Sequence, residues 1–282
     1  MGGLLGGGIV KNMKKQDPSK RIANALEINP LTAERKLVSF IKEKVKNAGV
    51  TGVVAGLSGG LDSSVTASLC AKALGAGRVM GISMPEAGVT DPHDVADARD
   101  LANKFDIRFR VIDITPAVLG IRQNLTDYKM DAQISNANIK PRVRMTILYY
   151  YANLFKLLVV GGGNRSEIRT GYFTKYGDGA ADLLPLGSLY KTQVKKLATH
   201  LGLPRHVIEK VPTAGLWRGQ TDEGELGISY EKLDMIYAGL DLKLKPNVIA
   251  NAAGVDISKV EHFIERERRM AHKLRVPEIP KL

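Results

Sequence analysis

The chain has 282 residues, of which 44% are hydrophobic, and this suits one sizeable α/β domain. Its formal net charge of +12 favours anionic ligands, and because the basic residues are dispersed without a zinc-finger or aromatic RNA-binding pattern, we expect small polyanions and no nucleic acid. The lone cysteine, Cys70, excludes an intrachain disulfide and a cysteine-based metal cluster, and its place on an apolar helix favours a packing role over a nucleophilic one. Neither a membrane span nor a signal peptide is recognisable, so we expect a cytoplasmic protein with no membrane partner.

The beginning of the chain differs in composition from the rest. Residues 1–30 are rich in glycine and then in lysine, and we predict that they form a flexible N-terminal segment. A single domain is predicted over residues 31–282. Its first helix is expected to begin near Thr32, because apolar residues recur every four positions from there.

Short apolar runs alternate with helical patterns through the middle of the chain. Runs of this kind are typical of strands that are buried on both faces. The alternation predicts an α/β fold with an open, parallel, twisted sheet flanked by helices on both faces. The predicted strands cover residues 52–57, 79–84, 107–111 and 157–161, and the predicted helices cover residues 63–74, the segment capped by Asp91 and the segment after Pro141.

Two long stretches, residues 162–189 and 211–228, show few regular patterns. Irregular stretches of this length inside a domain commonly carry function, so we interpret them as candidate lids over a site. Ser188 is predicted to cap a helix after the first stretch, and Ser229 is predicted to cap one after the second. The last third of the chain is predicted to be helical.

The segment between the first strand and its helix is rich in glycine and serine. Glycines let successive backbone N–H groups turn toward an anion, and the following helix adds the positive end of its dipole. Ser58 and Ser63 can donate hydroxyl hydrogen bonds to phosphate, whereas Asp62 beside phosphate indicates a magnesium ligand. The alternative is an ordinary glycine-rich turn, which needs no such serines and aspartate. The candidate phosphate loop comprises Gly56, Leu57, Ser58, Gly59, Gly60, Leu61, Asp62 and Ser63.

This Ser-Gly-Gly-x-Asp-Ser loop resembles that of the N-type ATP pyrophosphatases. The resemblance implies an adenine nucleotide alpha hydrolase-like fold and cleavage of ATP between its α- and β-phosphates, with an adenylate formed on an acceptor. The loop is neither a Walker A motif nor a dinucleotide-binding GxGxxG motif. It leaves the acceptor of the adenylate open.

A second cluster of polar and aromatic residues follows the last predicted strand. Because ligands of open α/β sheets lie at the carboxyl ends of strands, this position favours a site. Glu167 offers a second carboxylate for magnesium, and Lys175, Asp178 and Asp182 could contact a polar ligand. The alternative is a solvated loop with incidental charges. Three aromatic residues, at Tyr172, Phe173 and Tyr176, favour a ligand site.

This cluster, Gly-Tyr-Phe-Thr-Lys-Tyr-Gly-Asp-Gly followed by Asp-Leu-Leu-Pro-Leu, resembles the signature region of the ammonia-dependent NAD synthetases. Residues 138–145, 212–227 and 272–277 agree with other stretches of that family, so the resemblance spans most of residues 35–277. It implies a ligase that amidates deamido-NAD with ammonia, consumes ATP with magnesium, and forms a homodimer with substrate at the interface. We expect the seam of the dimer on the helix that carries Tyr149, Tyr150 and Tyr151.

The resemblance also implies a role for single positions. The phosphate loop, with Lys191 and Thr213, would bind ATP. Asp62 and Glu167 would hold Mg²⁺, and Asp178 would orient ammonia. Many members carry Thr where this chain has Gly162, so only the backbone of Gly162 could contact ATP here. The contacts to deamido-NAD implied by the resemblance are Arg142, Lys175, Asp182, His272 and Lys273.

Some of these residues have simpler interpretations. His272 and Lys273 could merely complement a helix dipole, and spacing alone does not separate Arg142 from Arg144 as the ligand. No glutaminase pattern is visible, so ammonia is expected free or from another chain. Two other functions stay open from the sequence: adenylation of another acceptor, such as a tRNA, and an inert nucleotide-binding module that uses its charge to bind nucleic acid.

Overall fold

The computed structural model describes residues 17–280, and a parallel four-stranded sheet lies at its centre. The strands are β1 (Gly52–Gly56), β2 (Val79–Ser83), β3 (Arg108–Val111) and β4 (Leu157–Val160), in the spatial order β3-β2-β1-β4. After β1 the chain adds β2 and β3 on one side and then returns to place β4 on the other. The predicted open parallel sheet is therefore confirmed.

Helices account for most of the remaining described residues, and none of those helices is long and apolar enough to cross a membrane. Three short 3-10 turns cover Ala76–Arg78, Pro185–Ser188 and Ala271–Lys273. The α-helices are α1 (Pro18–Ala25), α2 (Pro30–Asn47), α3 (Leu61–Leu74), α4 (Pro92–Lys104), α5 (Thr115–Asn124), α6 (Gln133–Phe155), α7 (Arg165–Thr170), α8 (Lys191–His200), α9 (Arg205–Ile208), α10 (Asp222–Leu226), α11 (Tyr230–Asp241), α12 (Pro246–Ala253) and α13 (Ile257–Met270).

Helices cover both faces of the sheet, as predicted. Successive side chains of a strand point to opposite faces, so Val53 and Val54 of β1 enter different cores. Val53 packs with α2, α3, α4 and α8, and Val54 packs with α5 and α6. A third core lies among α1, α11, α12 and α13, where the Tyr237 and Phe263 rings meet edge to face with 6.2 Å between centroids.

Local signals for helix starts are confirmed in most places. The Asp91 side chain accepts a hydrogen bond from the His93 N–H at 2.9 Å, and the Ser229 side chain accepts one from the Lys232 N–H at 3.4 Å. Helix α2 begins slightly earlier than predicted, because Asn29 caps it and Pro30 occupies its first turn. Its apolar stripe is buried at Leu37, Ile41 and Val45.

Other helix boundaries were predicted wrongly. Helix α6 begins at Gln133, and Pro141 lies inside it, where we had expected a start. Proline in a helix interior loses one backbone hydrogen bond. The residue before it, Lys140, forms a buried ion pair with Glu86 at 2.6 Å. Ser188 does not cap α8, since the helix begins at Lys191. Helices α5 and α9 were not predicted, and α7 and α10 lie within the stretches predicted to be irregular.

The segment for which we predicted flexibility contains an ordered helix. Residues 1–16 lie outside the described residues, but residues 18–25 form α1, with Pro18 in its first turn. The side chain of Ile22 is fully buried and packs with Leu26 against the C-terminal helices. Burial of these two residues explains why a polar, lysine-containing segment adopts a fixed position.

Replacement of Ile22 tests whether α1 contributes to the fold. We expect Ile22→Ala to lower the free energy of unfolding by about 2–5 kcal/mol, because a buried isoleucine loses both its transfer energy and its packing. Asn24 is exposed on the same helix, so Asn24→Ala should change the free energy of unfolding by less than about 0.5 kcal/mol. Urea denaturation followed by circular dichroism measures both values, and equal small effects would exclude α1 from the stable fold.

Candidate active site

The candidate site lies where the strand order reverses, at the carboxyl ends of β1 and β4. The loops that follow these neighbouring strands run to opposite faces and leave a crevice, the usual ligand position in open α/β sheets. A cavity of about 1130 Å³ opens there. Its wall combines the phosphate loop after β1, Gly162 after β4, and parts of both stretches that we interpreted as lids.

Seven of the eight residues predicted for the phosphate loop line this cavity. The hydroxyl oxygens of Ser58 and Ser63 lie 3.1 Å apart, and the Ser63 hydroxyl also donates to the Gly60 carbonyl at 3.0 Å. The eighth residue, Gly59, packs on the far side against α4. Its φ is +74°, and an added Cβ would lie 2.2 Å from the carbonyl oxygen of Asp94, so only glycine fits.

The charged centre of the site is a buried lysine between two carboxylates. The Lys191 ammonium donates to Asp62 Oδ2 and lies 3.4 Å from Glu167 Oε1. Burial disfavours the charged form of Lys191, but Asp62 and Glu167 outweigh that cost and raise the pKa of the ammonium group. Burial in turn raises the pKa of Glu167, against the opposing charge of Lys191. The predicted grouping of Asp62, Glu167 and Lys191 is therefore present.

Asn164 links the two strands' loops at this centre. Its side chain donates to Asp62 Oδ1 at 3.1 Å and accepts from the Glu167 N–H at 3.0 Å. The Glu167 carboxylate in turn accepts a hydrogen bond from the Asn164 N–H at 3.2 Å, which completes a capping box at the start of α7. We did not predict a role for Asn164, although its spacing from Glu167 is the sequence signature of such a box.

The cavity wall also carries Asp178 with two basic residues. Asp178 accepts a hydrogen bond from the Thr174 N–H at 2.9 Å, and the surrounding protein raises the pKa of its carboxyl group through desolvation. Arg144 and Lys273 line the cavity beside it. The Lys273 ammonium donates to the carbonyl oxygens of Gly171 and Phe173 at 2.7 and 2.8 Å, so it also orders the loop before Asp178.

The stretch before α10 forms part of the cavity wall. The Lys140 ammonium donates to the Leu216 carbonyl, and Gln220 accepts from the Leu216 N–H at 2.7 Å. Lys210 joins this stretch to the phosphate loop, because it donates to the Gly59 carbonyl at 3.1 Å and pairs with Asp94 at 2.7 Å. Thr213, predicted to contact ATP, lies on the cavity wall.

Four of the five residues predicted to contact deamido-NAD do not line the cavity of this chain. Arg142 is exposed and donates to the Lys175 carbonyl at 3.3 Å. Asp182 accepts from the Tyr149 hydroxyl at 3.1 Å and from the Val159 N–H at 2.7 Å, so it caps the edge of the sheet. His272 is exposed beyond α13. Of the five residues, Lys273 alone lines the cavity. On α6, Arg144 lines the cavity and Arg142 does not.

Comparison with known sequences assigns the family. The family model described as NAD synthase matches residues 33–277, which is most of the chain and includes every element of the site. The chain belongs to the NAD synthase family. Membership agrees with the geometry, because the matched segment contains the phosphate loop that lines the cavity and the two carboxylates that flank Lys191.

Relatives and solved structures in the same family are similar over nearly their whole length. The NH(3)-dependent NAD(+) synthetase of Staphylothermus marinus is 45% identical over 89% of this chain and 91% of its own. That of Methanocaldococcus jannaschii is also 45% identical, over 88% of this chain and 95% of its own. The structure of NMN synthetase from Francisella tularensis has a TM-score of 0.79 at 34% identity and covers 91% of this chain and 100% of its own. The NH3-dependent NAD synthetase from Campylobacter jejuni has a TM-score of 0.75 at 31% identity, over 90% and 100% of the two chains.

The close approach of Gly59 to α4 generates a test of the phosphate loop. Gly59→Ala should weaken ATP binding by more than about tenfold, because the added methyl group cannot be placed without displacing the loop. Gly49→Ala is the matched control: its φ is +65°, but an added Cβ meets nothing within 4 Å. The control should lose about 1 kcal/mol of stability and keep its affinity for ATP, as measured by calorimetry. Equal affinities in both variants would contradict the assignment of the loop.

Proposed function

We propose that this chain is an ammonia-dependent NAD synthetase, which amidates deamido-NAD with ATP through an adenylated carboxylate. The observation that carries the proposal is the joining of a Ser-Gly-Gly-x-Asp-Ser phosphate loop to the centre formed by Lys191, Asp62 and Glu167. A phosphate loop at a helix N-terminus suits a nucleoside triphosphate. Membership of the NAD synthase family supports deamido-NAD as the acceptor.

The chemistry follows from the poor leaving group of a carboxylate. A carboxylate oxygen of deamido-NAD attacks the α-phosphorus of ATP, the bond to the bridging oxygen breaks, and pyrophosphate leaves. Ammonia then attacks the acyl carbon, and AMP departs with the former carboxylate oxygen as one proton is released. The phosphate-loop N–H groups and Lys191 would stabilise the charge that develops on pyrophosphate.

The donor set at Asp62 and Glu167 fits Mg²⁺. That ion prefers oxygen ligands and commonly binds one or two carboxylates together with substrate phosphates and water. Both carboxylates lie against the same ammonium group, so their oxygens already converge on one cation. When bound, Mg²⁺ would neutralise charge on the pyrophosphate leaving group. Asp62 and Glu167 are the residues that would hold it.

Asp178 is proposed to orient ammonia and to accept its proton. The desolvated carboxyl group has a raised pKa, which makes its ionised form a stronger base than an exposed aspartate. Arg144 and Lys273 flank it in the cavity and favour the ionised form. The stretch of residues 211–221 would exclude water from the adenylate, which water would otherwise hydrolyse.

A second acceptor is supported by one comparison. The Francisella tularensis structure with a TM-score of 0.79 is that of an NMN synthetase, so nicotinate mononucleotide is the alternative substrate of the same chemistry. Both acceptors carry the same nicotinate carboxylate and differ in the adenylate half of the molecule. Relative kcat/KM values for the two acceptors therefore decide between them.

A product assay tests the reaction. Turnover should require ammonium, Mg²⁺, ATP and deamido-NAD, and should release AMP and pyrophosphate in amounts equal to NAD. The assay has three control reactions. The first omits deamido-NAD, the second replaces deamido-NAD with nicotinate mononucleotide, and the third replaces ammonium with glutamine. Release of ADP and phosphate would refute adenylation. Preference for nicotinate mononucleotide would assign the second acceptor, and efficient use of glutamine would refute the dependence on ammonia.

We further infer that the enzyme is a homodimer that pairs through α6. Tyr150 and Leu154 lie four residues apart on that helix, with exposed fractions of 62% and 55%, and they form an apolar surface. Arg142 on α6 and Asp182, which is bonded to Tyr149 of α6, lie outside the cavity of their own chain. A second copy on this surface would enclose these residues and complete a deamido-NAD site at the interface.

Sedimentation velocity tests the dimer. The protein should sediment as a dimer, and Tyr150→Asp should shift it toward the monomer and lower turnover, because a charge is placed in an apolar interface. Leu31→Asp is the matched control, since Leu31 is an exposed apolar residue on α2 and is expected to leave both properties unchanged. A fully active monomer would refute the proposal.

A further inference from the structure

A buried carboxylate outside the cavity joins the two helices that carry Lys191 and Glu167. Asp234 of α11 has no exposed surface, and its side chain bonds to the first turns of α7 and α8. Asp234 Oδ1 accepts from the Ser166 hydroxyl at 2.5 Å. Asp234 Oδ2 accepts from the Thr192 N–H at 2.9 Å and from the Thr192 hydroxyl at 2.8 Å.

Each residue bonded to Asp234 is the chain neighbour of a residue in the charged centre. Ser166 precedes Glu167, and Thr192 follows Lys191. The Ser166 hydroxyl oxygen also accepts from the Lys191 N–H at 3.0 Å, so α7 and α8 are bonded to each other as well as to Asp234. The relative position of the Glu167 carboxylate and the Lys191 ammonium therefore depends on this junction.

The same face of α11 supports the lysine side chain directly. Tyr230 lies one turn before Asp234, and the Lys191 ammonium lies 5.1 Å from the centroid of its ring. Helix α11 thus supports Lys191 in two ways. Tyr230 lies directly against its side chain, and Asp234 reaches its backbone indirectly, through Ser166 and Thr192. A carboxylate is well suited to the backbone role, because it accepts several hydrogen bonds and satisfies N–H groups that the first turn of a helix leaves without partners.

We propose that Asp234 is a positioning residue that fixes Lys191 against Asp62 and Glu167 by fastening the N-termini of α7 and α8 together. The catalytic consequence of this role rests on the proposed function, whereas the geometric role does not. Partners that orient a group in contact with substrate or metal typically contribute about 10–100-fold in activity. Asp234 does not line the cavity, and its side-chain hydrogen bonds go to Ser166 and Thr192, so its effect on the site passes through these two residues.

The first experiment reads the geometry in the protein without metal or substrate. Asp234→Asn keeps the shape of the side chain but replaces an acceptor oxygen with a donor, and Ser166→Ala removes the link to α7. We expect both variants to speed amide hydrogen exchange at Lys191 and Thr192 and to speed modification of the Lys191 amine by an amine-reactive ester, as read by peptide mass spectrometry. Ser68→Ala is the matched control, because Ser68 is a buried serine whose hydroxyl donates only to its own helix, at 2.7 Å to the Ser64 carbonyl.

The second experiment measures steady-state kinetics of the same variants. Asp234→Asn should lower kcat about 10–100-fold and leave the KM for deamido-NAD unchanged, and the double variant with Ser166→Ala should lose less than the two single losses combined, because both changes remove the same Asp234–Ser166 hydrogen bond. Ser68→Ala should have wild-type kinetics. Thermal unfolding shows whether each variant folds. If Asp234→Asn does not fold, the measurements on Ser166→Ala decide the proposal.

The outcomes separate this proposal from the proposed function. If the wild-type protein makes no NAD but both variants show faster amide exchange and faster Lys191 modification than wild type, the positioning role stands and the synthetase is refuted. If Asp234→Asn and Ser166→Ala show the same rates of amide exchange and Lys191 modification as the wild-type protein, the positioning role is overturned, whatever their activity. Additive losses in the double variant would also overturn it, since they would show that Asp234 does not act through Ser166.

Discussion

The Lys191 ammonium, buried against two carboxylates, is the interaction on which the site depends. A buried unpaired ammonium is costly, and removal of one partner from a buried ion pair typically destabilises a protein by about 3–5 kcal/mol. Asp62 follows β1 and Glu167 follows β4, so Lys191 ties together the loops of two neighbouring strands. The crevice of the sheet therefore cannot rearrange without separating these charges.

Three helices begin at this interaction, and their dipoles explain why the lysine needs both partners. Asp62, Glu167 and Lys191 lie in the first turns of α3, α7 and α8. A helix N-terminus favours a negative charge and disfavours a positive one, so the two carboxylates are placed well and Lys191 is not. The carboxylates compensate for that placement. The convergence of three positive helix ends also makes this part of the fold suitable for a polyanion.

The parts of the site that the sequence predicts are those determined by local geometry. Glycines and serines after a buried strand define the phosphate loop within a few residues, and Asp62 follows from it. The choice of Arg142 over Arg144 could not be made from spacing, because it depends on the rotation of α6, which begins well before Pro141. Asp234 was not predictable either, since its partner Ser166 lies 68 residues away in the chain and Thr192 lies 42 away. The same reasoning explains α1, whose burial depends on helices at the other end of the chain.

Charge balance at the centre limits how a nucleotide can bind. When Glu167 is ionised, Asp62 and Glu167 carry two negative charges against the one positive charge of Lys191, so a triphosphate that approaches alone meets net repulsion from these side chains. The N–H groups of the phosphate loop and the three helix ends offset part of this repulsion, but they contribute only partial charges. A nucleotide complexed with a divalent cation brings the missing positive charge to the carboxylates. The excess of carboxylate over ammonium thus favours the metal complex of the nucleotide over the free nucleotide, and the protein uses its own negative charge to make that distinction.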